Sequence, residues 1–174
     1  WYYNGESNAI SKSAKRGFEI FSGKGNCIAC HLVNEEYALF TDEKLHNTGI
    51  GFKSSMYVEP PRKKVVLAPG IEVDVDTSVY ANDSAFRDEI MPNDLGLYLI
   101  TQDPNDRWKI RTPQLRNVEL SGPYMHNGQL STLKEVVEFY NQGGVTEVGK
   151  MKNETISPLM FPLNLTENEV NDLV

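Results

Sequence analysis

The chain has 174 residues, with 17 lysines and arginines against 24 aspartates and glutamates, a net charge of −7. That balance argues against nucleic acid as a partner and fits either plain solubility or a basic redox partner. The 40% hydrophobic content suffices for one ordinary globular domain, assigned here to residues 1–174, and no apolar run is long enough to span a membrane.

The chain opens on WYYNGESN, which carries no leader-like pattern and reads as a cut edge. Ile10, Ala14, Phe18 and Phe21 then recur at helical spacing, and Gly23 and Gly25 end that helix. Directly after it stands GKGNCIACH, which holds both cysteines of the chain, Cys27 and Cys30, and then His31. Three chemistries use such a pair. A dithiol redox site belongs at a helix N-terminus in a βαβ setting, which this sequence does not offer. A zinc site needs a fourth, distant ligand such as His46 or His126. Covalent haem needs only what is present: two thioether anchors and an adjoining imidazole for the iron. Cys27 and Cys30 are therefore read as haem anchors and His31 as the proximal ligand. Covalent attachment of haem takes place outside the bacterial cytoplasm, so the expected compartment is the periplasm.

ALFTDEKLHNTGIGF, with Gly49 and Gly51, reads as a loop. KKVVLAPGIEVDVD reads as a hairpin turning at Pro69-Gly70, with Ile71, Val73 and Val75 alternating against Glu72, Asp74 and Asp76. The three carboxylates invite a calcium reading, but a solvated strand face explains them more simply. A short helix is expected within 81–92, ending near Met91-Pro92, and a further short element over 94–100. In STLKEVVEFYNQGG, Thr132 and Glu135 form a capping box and Gly143-Gly144 close the helix. Leu133, Val136, Val137 and Tyr140 share one face of it. At the end, PLNLTENEVNDLV starts a helix with Thr166 as N-cap, Glu169 as its box partner and Leu165 stapled to Val170. Its stop at Val174 after about two turns reads as the edge of a fragment. The expected fold is mainly α, a cytochrome c-like haem domain with long loops and a small β-hairpin insertion.

RWKIRTPQLRNVELSGPYMHNGQLSTLKEVVEFYN, together with CIACH, LFTDEKLHNTGIG and FPLNLTENE, resembles the C-terminal haem domain of the bacterial di-haem cytochrome c peroxidases, in particular their MauG-like branch. The resemblance implies an oxidoreductase in which peroxide reacts at an N-terminal haem and this domain relays electrons. Only one C-x-x-C-H is present, so the partner haem would lie in an N-terminal domain of the same protein or in a second chain. Hydrogen peroxide, and a redox protein or a protein substrate, complete the implied partners.

The same resemblance places the sixth iron ligand at Tyr140, where the main peroxidase branch carries a methionine. Periodicity by itself leaves Tyr140 open to being a core tyrosine with a satisfied hydroxyl. Met160 is the rival ligand, with Met91 and Met125 behind it. Lys109, Arg111 and Arg116 are candidate partners of the haem propionates, and a solvated basic loop is their plain alternative. Trp108 is a candidate redox relay or a core residue. His126 matches a family histidine near the haem and is not assigned to the iron, and His46 is read as bracing its loop. The resemblance also implies a calcium ion held partly by the carbonyls of Ser121 and Pro123. The alternative function is a stand-alone mono-haem cytochrome c that only transfers electrons.

Overall fold

The computed structural model describes residues 5, 8–34, 38–56, 62–76 and 94–174. The helix expected within 81–92, the Met91-Pro92 pair and most of the N-terminal octapeptide lie outside them.

Five α-helices are described: α1 (Lys12–Ser22), α2 (Ile50–Met56), α3 (Tyr98–Thr101), α4 (Leu133–Asn141) and α5 (Glu167–Leu173). Six short strands form three antiparallel pairs: β1 (Leu45–His46) with β4 (Ile110–Arg111), β2 (Arg62–Ala68) with β3 (Ile71–Asp76), and β5 (Glu147–Val148) with β6 (Met151–Lys152). Loops make up most of the described chain, so the fold is helical in its framework rather than in its bulk.

Local chemistry sets the helix ends. The Ser11 hydroxyl accepts from the Ala14 amide to cap α1, and Gly23 closes it by donating to the carbonyls of Glu19 and Ile20. Both capping boxes form: Thr132 with Glu135 on α4, and Thr166 with Glu169 on α5. Leu165 and Val170 are both buried, as a hydrophobic staple requires. The hairpin turns at Pro69-Gly70 with Val65 opposite Val73 and a bulge between Val66 and Ala68. Glu72 and Asp74 are exposed on it, and Lys64 lies 3.8 Å from Glu72, so the described acidic face is solvated.

The stretch over 38–52 expected to be one loop instead contributes β1 and the start of α2. A two-residue strand has no periodicity to read, and α2 is only seven residues long. The expected element over 94–100 is the single turn of α3.

α1 crosses α5 at Gly17, which is buried because the Asp172 carbonyl and the Leu173 backbone sit where its side chain would be. Arg16 bonds both carboxylate oxygens of Asp172, at 2.6 and 2.7 Å, and Ser13 donates to the same carboxylate. Lys24 reaches Glu169 at 2.7 Å. A second cluster centres on Ile50 and Phe52 of α2, with the Trp108 ring edge-on to Phe52 at 5.0 Å. Asn47 ties this cluster to the C-terminal loop through Asn153 and Thr155, at 2.9 and 3.0 Å. These two supports hold the segment between them, which carries the two cysteines and His31.

A candidate haem-attachment site

Asn26 takes the left-handed conformation (φ 51°) and turns the chain out of α1 into a single 3₁₀ turn, Cys27–Ala29. The Cys27 carbonyl accepts from the amides of Cys30 and His31, at 3.2 and 2.9 Å. Both thiols and the imidazole are thereby gathered on one tight turn, half-buried, with the cysteines unbridged.

His31 Nδ1 lies 2.7 Å from the Phe40 carbonyl oxygen. A carbonyl only accepts, so Nδ1 carries the proton and Nε2 keeps its lone pair for a metal. Phe40 sits at φ 56°, which aims that carbonyl at the ring. Phe21 packs edge-on to Phe40 at 5.9 Å and tilts against His31 at 6.4 Å. Burial pulls the His31 pKa down, against the opposing hydrogen bond to Phe40, and so favours the neutral imidazole that a metal needs.

The thiols behave differently from a redox pair. Burial pushes Cys27 up to about 11, and burial also raises Cys30, with the Asp42 carboxylate adding to it. Neutral thiols of this kind are poor thiolate nucleophiles, which disfavours dithiol exchange chemistry. Zinc fares no better. Cys30, Asp42 and His46 place donor atoms within 4.8 Å of one another, but among the described residues this group reaches only three donors and excludes His31. His46 Nε2 is already bonded to Asp42, at 2.8 Å.

Tyr140 stands on the inner face of α4. Burial first, then the nearby Cys30 and Cys27 thiols, raises its pKa to about 12. Its ring meets Phe139 edge-on at 5.3 Å, which fixes the side chain on that face. The rival, Met160, packs against Gly144 just beyond the same helix, its Cε 2.7 Å from where a Cβ there would stand.

The residues fit a haem. The buried apolar side chains among those described are Ile50, Phe52, Trp108, Leu165 and Val170. Phe21 and Phe40, which pack around His31, and Tyr140 are only half-buried. A large apolar group beside two thiols, one imidazole with a directed lone pair and one phenol is what such a lining suits.

The remaining candidates are placed as follows. Lys109 pairs with Asp106 at 2.8 Å, and Arg111 lies 3.4 Å from Glu43 on an exposed edge. Arg116 is exposed and makes no ion pair among the described residues. His126 Nε2 bonds Asp94 at 2.7 Å. Trp108 is buried at φ 61°, and its Nε1 donates to Ser55 at 3.1 Å. Ser121 and Pro123 are exposed, and the Ser121 hydroxyl donates to the Val118 carbonyl. Met125 is half-buried.

Sequence reasoning weighed His46 as a distant zinc ligand, settled on a loop brace, and passed over Asp42. The β1–β4 pairing, His46 opposite Ile110, brings them beneath the turn. Burial alone would raise Asp42, but hydrogen bonds from His46, the Lys44 amide and Thr112 hold it below the usual carboxylate range.

No family model matches the chain. It is 38% identical over 98% of its length to the cytochrome-c peroxidase IdrP1 of Denitromonas iodatirespirans, and 29% identical over 98% to the methylamine utilization protein MauG of Methylorubrum extorquens. It spans 40% and 35% of those two proteins. Among solved structures it resembles a MauG-like protein associated with microbial copper homeostasis, with a TM-score of 0.63 at 25% identity, covering 99% of this chain and 47% of that one. The diheme peroxidase BthA of Burkholderia thailandensis shares the fold, with a TM-score of 0.61, covering 99% of this chain and 43% of that one.

Proposed function

We propose that this chain, a homologue of the cytochrome-c peroxidase and MauG proteins along about 40% of their length, is the haem c domain of a periplasmic di-haem oxidoreductase. The observation that carries the reading is the attachment turn. Two unbridged thiols share one turn with an imidazole whose Nδ1 is held by Phe40, and the Tyr140 phenol lies near the thiols.

Cys27 and Cys30 would hold the haem through thioether bonds, and His31 Nε2 and Tyr140 would bind its iron. When bound, haem supplies one-electron storage and transfer. The protein's part is orientation and exclusion. Phe40 fixes the imidazole plane, Phe21 packs against both, and α4 brings the phenol. A phenolate ligand favours ferric iron, whereas a thioether favours ferrous iron. With two protein ligands on the iron, peroxide would find no open coordination site here. The domain's role is then to relay electrons to a peroxide-reactive haem in a region N-terminal to this one. The reducing partner would be a small redox protein or a side chain on a protein substrate. Arg116 is the better-placed candidate for a haem propionate, because Lys109 and Arg111 already have acidic partners.

The test uses protein matured in a periplasm. After extraction with acidified organic solvent the colour should stay on the polypeptide, with a mass excess of one haem. Free haem in the solvent would refute thioether attachment. Peroxide consumption should be slow for this chain and fast for the complete di-haem protein, and equal rates would refute the relay role.

A further inference from the structure

Asp42 is an unusual residue to bury. Its side chain is 4% exposed, and a charged carboxylate removed from water costs several kcal/mol unless its surroundings replace the lost hydration. The surroundings here are built for the charged form. One oxygen accepts from the Lys44 amide at 3.0 Å, and the other accepts from His46 Nε2 at 2.8 Å. His46 is itself held from behind, where Ser157 Oγ lies 3.4 Å from Nδ1 and accepts from the Leu159 amide at 3.4 Å. Ser157 thus braces the imidazole, and His46 orients the carboxylate. The carboxylate, the imidazole and Cys30 Sγ all lie within 4.8 Å of one another.

We propose that Asp42, oriented by His46, is a positioning residue whose fixed negative charge beside the Cys30 attachment point holds the iron toward its ferric and higher states. The proposal rests on the haem reading above. Its physics is Coulombic: an unscreened negative charge in a poorly hydrated wall stabilises the more positive oxidation state of a nearby centre. Lys44 is the neighbouring cation, and its side chain is on the exposed side, where solvent screens it. Removing the carboxylate charge should make the iron easier to reduce.

The experiment is a spectroelectrochemical titration of the haem-loaded, full-length protein. Asp42→Asn keeps the shape and acceptor oxygen while losing the charge. Its ferric/ferrous equilibrium should move toward ferrous by about three- to thirtyfold, as a unit charge acts through a partly hydrated wall; tenfold corresponds to about 59 mV for one electron. Asp42→Glu keeps the charge and should stay within about threefold of the parent. His46→Lys places a permanent cation against the same carboxylate and should shift the equilibrium in the same direction as Asp42→Asn. It serves as the readout if the asparagine variant does not assemble. Haem that extracts freely from the parent protein refutes the haem reading. A covalently loaded protein whose neutralised variants match the parent refutes the role of Asp42.

Discussion

Substituting alanine for Gly17 sets two opposing effects against each other, and their balance reports how tightly α1 and α5 are joined. Alanine improves an exposed helix interior by about 1 kcal/mol over glycine. At this crossing, however, the new Cβ would collide with the Asp172 carbonyl oxygen, with the carbonyl carbon at 2.9 Å and Leu173 Cα at 3.5 Å. These are backbone atoms of a helix and cannot swing aside, so the helices must part. Overpacking of this kind costs about 1–3 kcal/mol, with larger values when backbone has to move. The net expectation is a loss of roughly 1–2 kcal/mol, a drop of about 2–8 °C in Tm for a chain of this size. Gly70→Ala is the control. It lies at φ 81° with nothing within 4 Å of the added methyl, so its cost is conformational strain without collision. The functional consequence runs through α1, whose Phe21 packs on both His31 and Phe40. Gly17→Ala should therefore also broaden the haem spectrum, while Gly70→Ala should leave it unchanged. Thermal melts followed at the haem absorbance and by far-UV circular dichroism read both effects. A Gly17→Ala protein as stable as the parent would refute the close crossing.

Tyr140→Phe should open one axial position, giving a high-spin or water-ligated spectrum. A sulfur-to-iron charge-transfer band in the parent protein would point to Met160 instead. Thr132→Ala removes the cap of the helix that carries Tyr140 and should cost about 1 kcal/mol in denaturant unfolding, with the axial spectrum retained. Acid should weaken the α1–α5 junction. Lys24, then the Thr166 cap, holds Glu169 from the ordinary 4.5 down to about 2. A carboxylate depressed in the folded state contributes stability above its unfolded pKa and loses it as pH falls through the folded one. The melting temperature should therefore fall between about pH 4.5 and 2, and Glu169→Gln should flatten that part of the curve. A parallel, unflattened curve would show that the pair contributes nothing.

The parts of this protein that were legible in its sequence are those specified by neighbours in the chain. C-x-x-C-H defines its own turn, because Cys27, Cys30 and His31 meet through hydrogen bonds spanning three and four residues. The two capping boxes and the Pro69-Gly70 turn are local in the same sense. What the sequence hid depends on contacts made across the fold. β1 and β4 are two residues each, too short for any periodic signal, yet their pairing joins residue 45 to residue 111 and sets Asp42 and His46 beneath the cysteines. The polar tie from Asn47 to Asn153 spans 106 positions, and both residues read as ordinary loop asparagines. Left-handed backbone at Phe40 and Trp108 is equally invisible, since neither residue type favours it. The Phe40 case matters most. An aromatic residue in a conformation that suits glycine is retained where the surroundings over-determine it. Here its carbonyl holds the His31 ring and its own ring meets Phe21. One strained residue thus links the best-marked motif in the sequence to the helix crossing that the sequence could not reveal.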